Sequence, residues 1–159
     1  MNLFDAEMKF DDDDPPGYHT SSFRTAETLG GKAIRFNVFE LPPGQSVCPY
    51  HYESNSEEWI IVLTGRPTVR TPEGERELGP WDCVFCPAGE AGAHKVTNNT
   101  DEPTRIVIWS NYSHPETAIY PDGGKVGAWP PGEFFRLADA VGYWDGEGVG
   151  RDGPSSHSV

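Results

Sequence analysis

The segment PYHYESNSEEWIIVLTG, residues 49–65, places one imidazole and three carboxylates directly before a run of apolar, strand-forming residues. Alternate side chains of a β-strand share a face, so His51 and Glu53 project to one side, and Glu58 points the same way as Ile60. A carboxylate directed at an apolar interior is costly unless a cation or a hydrogen-bond donor meets it. An acidic solvated loop, or a turn that keeps a sheet edge soluble, would also account for these charges. A metal site is the third interpretation.

Short apolar runs separated by turn residues recur on both sides of this segment. The runs with strand character are KAIRFNVFEL, EWIIVLTG, PTVRT, ERELG, DCVFCPA, AHKVTNN, TRIVIWS and TAIYP. The intervening segments, such as LPPGQ, TPEGE and PDGGK, contain the residues that tight turns require. Only EFFRLADAV, residues 133–141, has weak helical character. The pattern predicts an all-β domain, built as a sandwich, a jelly roll or a small barrel.

A chain of 159 residues suits a single domain with one core. We expect that domain to span residues 23–145. Residues 1–22 contain the run DDDDPP and are predicted to be an acidic arm, because a self-repelling segment cannot bury enough apolar area to fold. Residues 146–159 are rich in Gly and Ser and are predicted to be a disordered tail.

The charge balance of 12 basic against 25 acidic residues gives a net charge of −13. This charge disfavours nucleic acid and anionic membrane surfaces as partners. No apolar stretch approaches the ~20 residues that span a bilayer, and the N-terminus lacks the basic start and apolar block of a secretory signal. We therefore expect a cytoplasmic protein whose partner is a small-molecule ligand or substrate.

The three cysteines, Cys48, Cys83 and Cys86, fit reduced thiols better than a disulfide framework, because their number is odd. The CVFC segment has CxxC spacing, but no second CxxC accompanies it. In a strand its two thiols would point to opposite faces, so the pair does not predict a zinc or redox site.

Two ordered motifs carry a family resemblance. The first has a Gly, a His-x-His pair, a Glu, and a second Gly seven residues beyond that Glu; here it reads Gly44, His51, Glu53, Glu58 and Gly65. The second has a Gly, a Pro-x-Gly, a His and an Asn; here it reads Trp81, Pro87, Gly89, His94 and Asn98. Together they resemble the two motifs of the cupin superfamily.

That resemblance implies a single conserved-barrel cupin, a conical antiparallel β-barrel of jelly-roll type. It further implies that four residues line the barrel interior around one divalent transition metal, namely His51, Glu53, Glu58 and His94. Two imidazoles and up to two carboxylates suit Fe, Mn, Zn, Ni or Co, and ligand softness does not choose among them. Resemblance to small cupins also leads us to expect a homodimer.

The chain departs from the family motifs at three points. Trp81 replaces the opening Gly of the second motif, and the interval from Gly89 to His94 is two residues longer than usual; both changes are expected to alter only a turn. Glu53 replaces the second His of the first motif, which changes the chemistry. As a ligand, Glu53 would cancel the metal's residual charge and weaken its Lewis acidity. As a group standing off the metal, it would be free to move a proton on a bound substrate.

These features predict a metal-binding cupin, and specifically a metal-dependent enzyme of isomerase, lyase or dioxygenase type. Its substrate is expected to be a small oxygenated molecule, such as a sugar derivative or a keto or hydroxy acid. The alternative is a non-catalytic cupin that binds a small ligand. Trp59, Phe85 and Trp109 fall in predicted strands, where aromatic residues are more often core than pocket lining.

Overall fold

The computed structural model describes residues 1–11, 13–111 and 113–148. These residues form thirteen strands and one α-helix. The first elements are β1 (Lys9–Phe10), β2 (Ser21–Arg24), α1 (Thr25–Leu29), β3 (Arg35–Leu41), β4 (Tyr52–Glu53), β5 (Glu58–Thr64), β6 (Thr68–Thr71) and β7 (Gly74–Glu77). The remaining strands are β8 (Cys83–Cys86), β9 (Lys95–Thr97), β10 (Thr104–Ser110), β11 (Glu116–Tyr120), β12 (Lys125–Trp129) and β13 (Glu133–Arg136).

The strands form an antiparallel jelly-roll β-barrel. One sheet has the order β1-β2-β3-β10-β5-β8, a second the order β13-β12-β11-β4, and a third the order β7-β6-β9. All eight strand candidates of the sequence contain a strand, so the predicted all-β fold is confirmed. Three short 3₁₀ turns also occur, at Leu3–Asp5, Glu90–Gly92 and Leu137–Asp139.

The hydrophobic core lies between the sheets and is built from inward-facing alternate residues. Its members are Leu41, Ile60, Val62, Val69, Leu78, Val84, Cys86, Val96 and Ile106. Burying a side chain of Leu, Ile or Val size contributes about 1.5–3 kcal/mol relative to leaving it exposed. Cys83 is exposed where Cys86 is buried, so the two thiols of the CVFC segment lie on opposite faces, as predicted.

The helical interpretation of EFFRLADAV is wrong. Glu133–Arg136 is strand β13, which pairs with β12, and only a 3₁₀ turn at Leu137–Asp139 follows it. Phe134 packs edge-on against Trp129 of the neighbouring strand, with ring centroids 5.5 Å apart. Cross-strand aromatic contacts of this kind stabilise a strand and override a weak local helix preference.

The core interpretation of Trp59, Phe85 and Trp109 is also wrong. These side chains are 46%, 44% and 45% exposed. The reason is alternation: Trp59 lies between Glu58 and Ile60, which face the interior, so it must face outward. Its partners in the sheet, Trp109 and Phe85, share that outer face.

The N-terminal residues contact the barrel at several points. Lys9 and Phe10 pair with β2, which itself pairs with β3. The guanidinium of Arg105 donates a hydrogen bond to the carbonyl of Phe4 at 3.1 Å. Of the predicted tail over 146–159, residues 149–159 lie outside the described residues. None of the helices in the described part of the chain has the length and apolar character needed to span a bilayer.

The turn before β8 contains Trp81, at the position where the second family motif has its opening glycine. Trp81 has a φ of 71°, a left-handed conformation that costs a residue with a Cβ roughly 1–2 kcal/mol. Its N–H donates to the carbonyl of Val62 at 2.7 Å, and the carboxylate of Asp82 accepts from the N–H of Gly79 at 2.8 Å. Trp81 thus adopts the backbone conformation that favours glycine, within a turn closed by these two hydrogen bonds.

Candidate metal centre

A bridge between two chain segments brings the two conserved-motif histidines together. His51 and His94 exchange backbone hydrogen bonds, with N···O distances of 3.1 and 2.8 Å. Opposed residues of such a pair project to the same side. Both side chains are buried, and their ring centroids are 4.8 Å apart.

The orientation of each imidazole follows from a backbone contact. Nδ1 of His51 lies 3.0 Å from the carbonyl oxygen of Pro49, and Nδ1 of His94 lies 2.9 Å from that of Gly92. A carbonyl only accepts, so each Nδ1 carries the proton, and each Nε2 faces the barrel interior. Metal-bound histidines are fixed in the same way. A Cβ on Gly92 would lie 1.7 Å from the carbonyl oxygen of Pro87, so only glycine fits there.

Glu58 completes a group of three potential ligands. As the first residue of β5 it points inward, and its Oε2 lies 3.1 Å from Nε2 of His94. The ligand atoms of His51, Glu58 and His94 all lie within 4.8 Å of one another. Despite the short contact, Nε2 of His94 is buried and makes no well-aligned hydrogen bond within the described residues.

These features fit a transition metal. Adjacent ligand atoms around an ion with ~2.1 Å bonds are about 3 Å apart, which is the spacing between His94 and Glu58. A buried nitrogen without a hydrogen-bond partner is costly unless something binds it. Two imidazoles and one carboxylate suit a first-row transition metal, without selecting one.

Glu53 lies beside this group and is not a member of it. Its Oε1 is 2.8 Å from Nε2 of His51, and its side chain is 17% exposed. Glu57, in the same loop, is exposed and faces solvent, as the alternation predicts. The structure thus brings His51, Glu58 and His94 together and leaves Glu53 at their edge, where it is placed to act as a fourth ligand or as a proton-transfer group.

A pocket leads to the candidate site along the inner faces of β3 and β10. It has a volume of about 340 Å³, and its lining includes His51, Glu58 and Cys48. Arg35 and Ser110 also line it, although neither residue was a site candidate from the sequence. On the other side of His51, the ring of Tyr120 stacks on the imidazole with centroids 5.5 Å apart and planes 16° apart.

Comparison with known proteins identifies the family. The model of the cupin domain matches residues 37–110, which include all four predicted ligands. A crystal structure of a cupin-superfamily sugar phosphate isomerase from Silicibacter pomeroyi superposes with a TM-score of 0.77 at 25% identity, covering 91% of this chain and 97% of that one. The chain contains a cupin domain. No curated protein matches it in sequence.

Two structures of lower sequence identity share the fold. A polyketide cyclase from Streptomyces resistomycificus has a TM-score of 0.59 at 22% identity, covering 73% of this chain and 81% of its own. A predicted oxalate decarboxylase from Thermotoga maritima has a TM-score of 0.51 at 21% identity, covering 59% of this chain and 81% of its own. The range of activities among these relatives agrees with the rule that function lies in the site and not in the fold.

The charges of the cupin site are strongly coupled. Burial lowers the pKa of His94, but the side chains of Cys86 and Glu58 outweigh it and raise that pKa to about 11. For His51, burial likewise lowers the pKa, yet Cys48 and Glu53 raise it well above the usual value. Burial raises the pKa of Glu53, and its hydrogen bond with His51 more than reverses this, so the carboxyl pKa is lowered. The metal-free site therefore holds protons on its imidazoles and negative charge on Glu53.

We predict that the cupin binds divalent metal more tightly as pH rises. The metal needs neutral imidazoles, and protons compete for both of them because their pKa values are raised. Between pH 6 and 8 the affinity should increase by about one to two log units per pH unit, with proton release on binding. Titration of the metal-free protein with Zn²⁺ against a competing chelator at several pH values measures this. A pH-independent affinity would contradict it.

A buried carboxylate that the sequence did not mark holds the loop between the two motif glutamates. Oε1 of Glu116 accepts hydrogen bonds from the N–H groups of Ser54 and Asn55, both at 3.0 Å, and Oε2 accepts from the hydroxyl of Ser56 at 2.6 Å. Residues 54–57 connect Glu53 of β4 to the start of β5 at Glu58. Glu116 thereby fixes the spacing between Glu53 and Glu58.

Replacing Glu116 by glutamine should lower the free energy of unfolding by about 1.5–3 kcal/mol, because an amide cannot accept all of these hydrogen bonds. Metal affinity should fall with it, since the loop that positions Glu53 and Glu58 loses its anchor. Urea denaturation of the metal-free protein measures the first effect and a metal titration the second. Glu133→Gln, at an exposed strand position, is the matched control. An unchanged urea midpoint for Glu116→Gln would show that the loop does not depend on this carboxylate.

Proposed function

We propose that this protein is a metal-dependent isomerase that acts on a small polyhydroxylated carbonyl compound, such as a sugar or a sugar phosphate. The observation that carries the proposal is the position of Glu53, a carboxylate 2.8 Å from Nε2 of His51, whose side chain lines the pocket together with Glu58. A base beside a metal site suits the movement of a proton between neighbouring carbons of a hydroxy carbonyl compound.

The pocket supports a polar and anionic substrate. Its volume of about 340 Å³ lies at the small end of the range for ligand sites. Arg35 supplies a guanidinium to the lining, and Asn37 and Ser110 supply polar groups. A guanidinium recognises a carboxylate or a phosphate by paired hydrogen bonds. The sugar phosphate isomerase from Silicibacter pomeroyi, which aligns over 91% of this chain, supports the same substrate class.

The residues of the site have different roles in the proposed reaction. A bound divalent metal would supply Lewis-acid polarisation of the substrate's carbonyl and hydroxyl oxygens. His51, Glu58 and His94 would hold it, and Tyr120 keeps the ring of His51 in orientation by stacking on it. Glu53 would take the proton from the hydroxyl-bearing carbon next to the carbonyl and return it to the former carbonyl carbon, while the hydroxyl proton passes to the carbonyl oxygen.

Proton NMR in D₂O tests this function. The protein, loaded in turn with Fe²⁺, Mn²⁺, Co²⁺, Ni²⁺ or Zn²⁺, is incubated with aldose and ketose phosphates and with the corresponding unphosphorylated sugars. The expected result is metal-dependent incorporation of deuterium at the carbon next to the carbonyl, together with interconversion of aldose and ketose. Metal-free protein is the control.

The same experiment distinguishes the alternative function. A non-catalytic ligand-binding cupin would show ligand-induced stabilisation in thermal unfolding, and no deuterium incorporation with any metal or sugar. That outcome would reject the isomerase. Product formation without solvent deuterium would instead exclude a solvent-exchanging proton transfer by Glu53.

A further inference from the structure

The pocket at the candidate metal site has a neighbour on the same face of the six-stranded sheet. Arg35, Asn37 and Phe39 alternate along β3 and so share the inner face with Leu41 of the core. On the β10 side of this row lies the pocket of about 340 Å³ that reaches the candidate metal ligands. On the β2 side the same three residues border a second space of about 280 Å³. The two spaces therefore lie side by side, separated by the side chains of β3.

Two guanidinium groups border the second space. Arg24 of β2 is the direct cross-strand partner of Asn37, so its side chain projects from the inner face, next to the row that contains Arg35. Arg35 itself lines both spaces. The rest of the lining comes from α1 and the residues after it, namely Ala26, Glu27 and Gly31, and from Phe39. An anion placed between β2 and β3 would thus meet two positive charges in one pocket.

The carboxylates near these arginines do not close the second space to an anion. Arg24 pairs with Glu27 at 3.5 Å, but the two side chains are 58% and 70% exposed, and exposed pairs of this kind are weak. Arg24 and Glu27 also border a third pocket, whose other charged members are Glu7, Lys9, Asp11 and Asp13. The excess of carboxylates in that pocket repels anions, which confines an anion site to the side that faces Arg35.

The strand register gives the separation between these arginines and the metal ligands. Arg35, Ser110 and Glu58 are successive cross-strand partners on β3, β10 and β5. With strands about 4.8 Å apart, the backbone of Arg35 lies about 10 Å from that of Glu58, and Arg24 lies on the next strand beyond. A ligand that reaches both groups must carry its anion several bonds away from the atoms at the metal. A keto acid, whose carboxylate is adjacent to its carbonyl, lacks that separation.

We propose that Arg35 and Arg24 form an anion subsite that binds the terminal phosphate of an open-chain sugar phosphate. This inference rests on the isomerase proposed above and names its substrate class. The carbonyl end of the sugar lies at the metal ligands, the carbon chain follows the inner faces of β10 and β3 past Ser110 and Asn37, and the phosphate lies between β3 and β2. A phosphate suits the subsite because its three terminal oxygens can accept hydrogen bonds from two guanidinium groups at once.

Isothermal titration calorimetry of the Zn²⁺-loaded full chain with sorbitol 6-phosphate and with sorbitol tests the subsite. Both probes are open chains without a carbonyl group, so the enzyme cannot isomerise them. The wild type should bind the phosphate at least about 10-fold more tightly than sorbitol. Arg35→Gln should weaken binding of sorbitol 6-phosphate about 10–100-fold, because it removes charged hydrogen bonds, and Arg24→Gln should weaken it less, since that side chain is exposed. Neither variant should change the affinity for sorbitol.

Arg66→Gln is the matched control, because Arg66 is an exposed arginine that pairs with Glu77 and lines neither space. It should bind sorbitol 6-phosphate as the wild type does. Equal affinities of the wild type for the two probes would overturn the subsite, as would wild-type affinity for sorbitol 6-phosphate in both Arg24→Gln and Arg35→Gln. Should circular dichroism show that Arg35→Gln does not fold, Arg24→Gln decides by itself, since it alters an exposed side chain.

The titration and the deuterium experiment fail independently. Arginine-dependent binding of sorbitol 6-phosphate without deuterium incorporation into any sugar would reject the isomerase and retain the anion subsite. Deuterium incorporation at equal rates into phosphorylated and unphosphorylated sugars, unaffected by Arg24→Gln and Arg35→Gln, would reject the subsite and retain the isomerase.

Discussion

Replacing His94 by alanine is expected to lower the affinity for divalent metal at least about 100-fold, since losing a ligand should cost more than the 10–100-fold typical of residues that only orient ligands. The physical reason is the position of its Nε2, which is buried, faces the carboxylate of Glu58 at 3.1 Å, and makes no well-aligned hydrogen bond within the described residues. With alanine, the remaining imidazole and carboxylate could not hold a divalent ion against water.

Elemental analysis of protein purified without added metal gives the first measurement, and a chelator competition titration gives the affinity. His19→Ala is the matched control, because His19 is exposed and its backbone N–H bonds to the side chain of Gln45. It should keep wild-type metal content. Full metal occupancy in His94→Ala would reject the proposed ligand set.

The stability of the same variant separates binding from folding. In the metal-free wild-type protein the imidazole lies 3.1 Å from the carboxylate of Glu58, and this pairing contributes to the raised pKa of His94. Removing the imidazole leaves Glu58 without this partner, so the metal-free variant is expected to be less stable than the wild type, and circular dichroism establishes that it folds before its metal affinity is compared. Only the wild-type protein should gain stability on addition of Zn²⁺, in proportion to the logarithm of metal concentration over Kd.

The part of the site that alternation controls was predictable from sequence. Glu58 had to face inward because it shares a face with Ile60, and the two motifs together marked His51 and His94 as residues of one site. The structure brings these three ligand atoms within 4.8 Å of one another. Periodicity gave the orientation of His51 and Glu58, whereas His94 was identified as a ligand only through its place in the second motif.

The parts that depend on distant contacts were not predictable. Glu116 is separated by 62 residues from Ser54, whose N–H it accepts, and nothing in the local sequence distinguishes it from a solvated glutamate. Arg35 enters the pocket only because β3 and β10 run side by side. A single sequence does not contain the pairing of strands, and pairing decides which side chains become neighbours.

The exposed positions of Trp59, Trp109 and Phe85 were only partly predictable from the sequence. The alternation around Trp59 was enough to predict that it faces outward, but the general preference of tryptophan for the core was given more weight. Its alignment with Trp109 and Phe85 follows from register across three strands, which the sequence does not specify.

Replacing Glu53 by glutamine is expected to lower the rate of metal-dependent deuterium incorporation by about 10²–10⁴, the usual contribution of a general base. Glutamine keeps the size of the side chain and a neutral oxygen, and it loses the ability to accept a proton. Metal content should be retained, because the group of atoms within 4.8 Å consists of His51, Glu58 and His94 without Glu53. Glu57→Gln, at the exposed position in the same loop, should match the wild type in both measurements.

The two roles proposed for Glu53 give opposite patterns in this variant. For a base, the metal titration stays at the wild-type affinity and the exchange rate falls. For a fourth ligand, the affinity itself falls, and exchange recovers when enough metal is added to saturate the site. Glu53 lies 2.8 Å from Nε2 of His51, and its negative charge helps to keep a proton on that imidazole. If Glu53 is not a ligand, loss of this charge should therefore raise the metal affinity slightly at low pH, because protons compete less well for His51. A variant with wild-type affinity and wild-type exchange would show that Glu53 is neither a ligand nor a base, and that the glutamate in the histidine position of the motif does not serve the reaction.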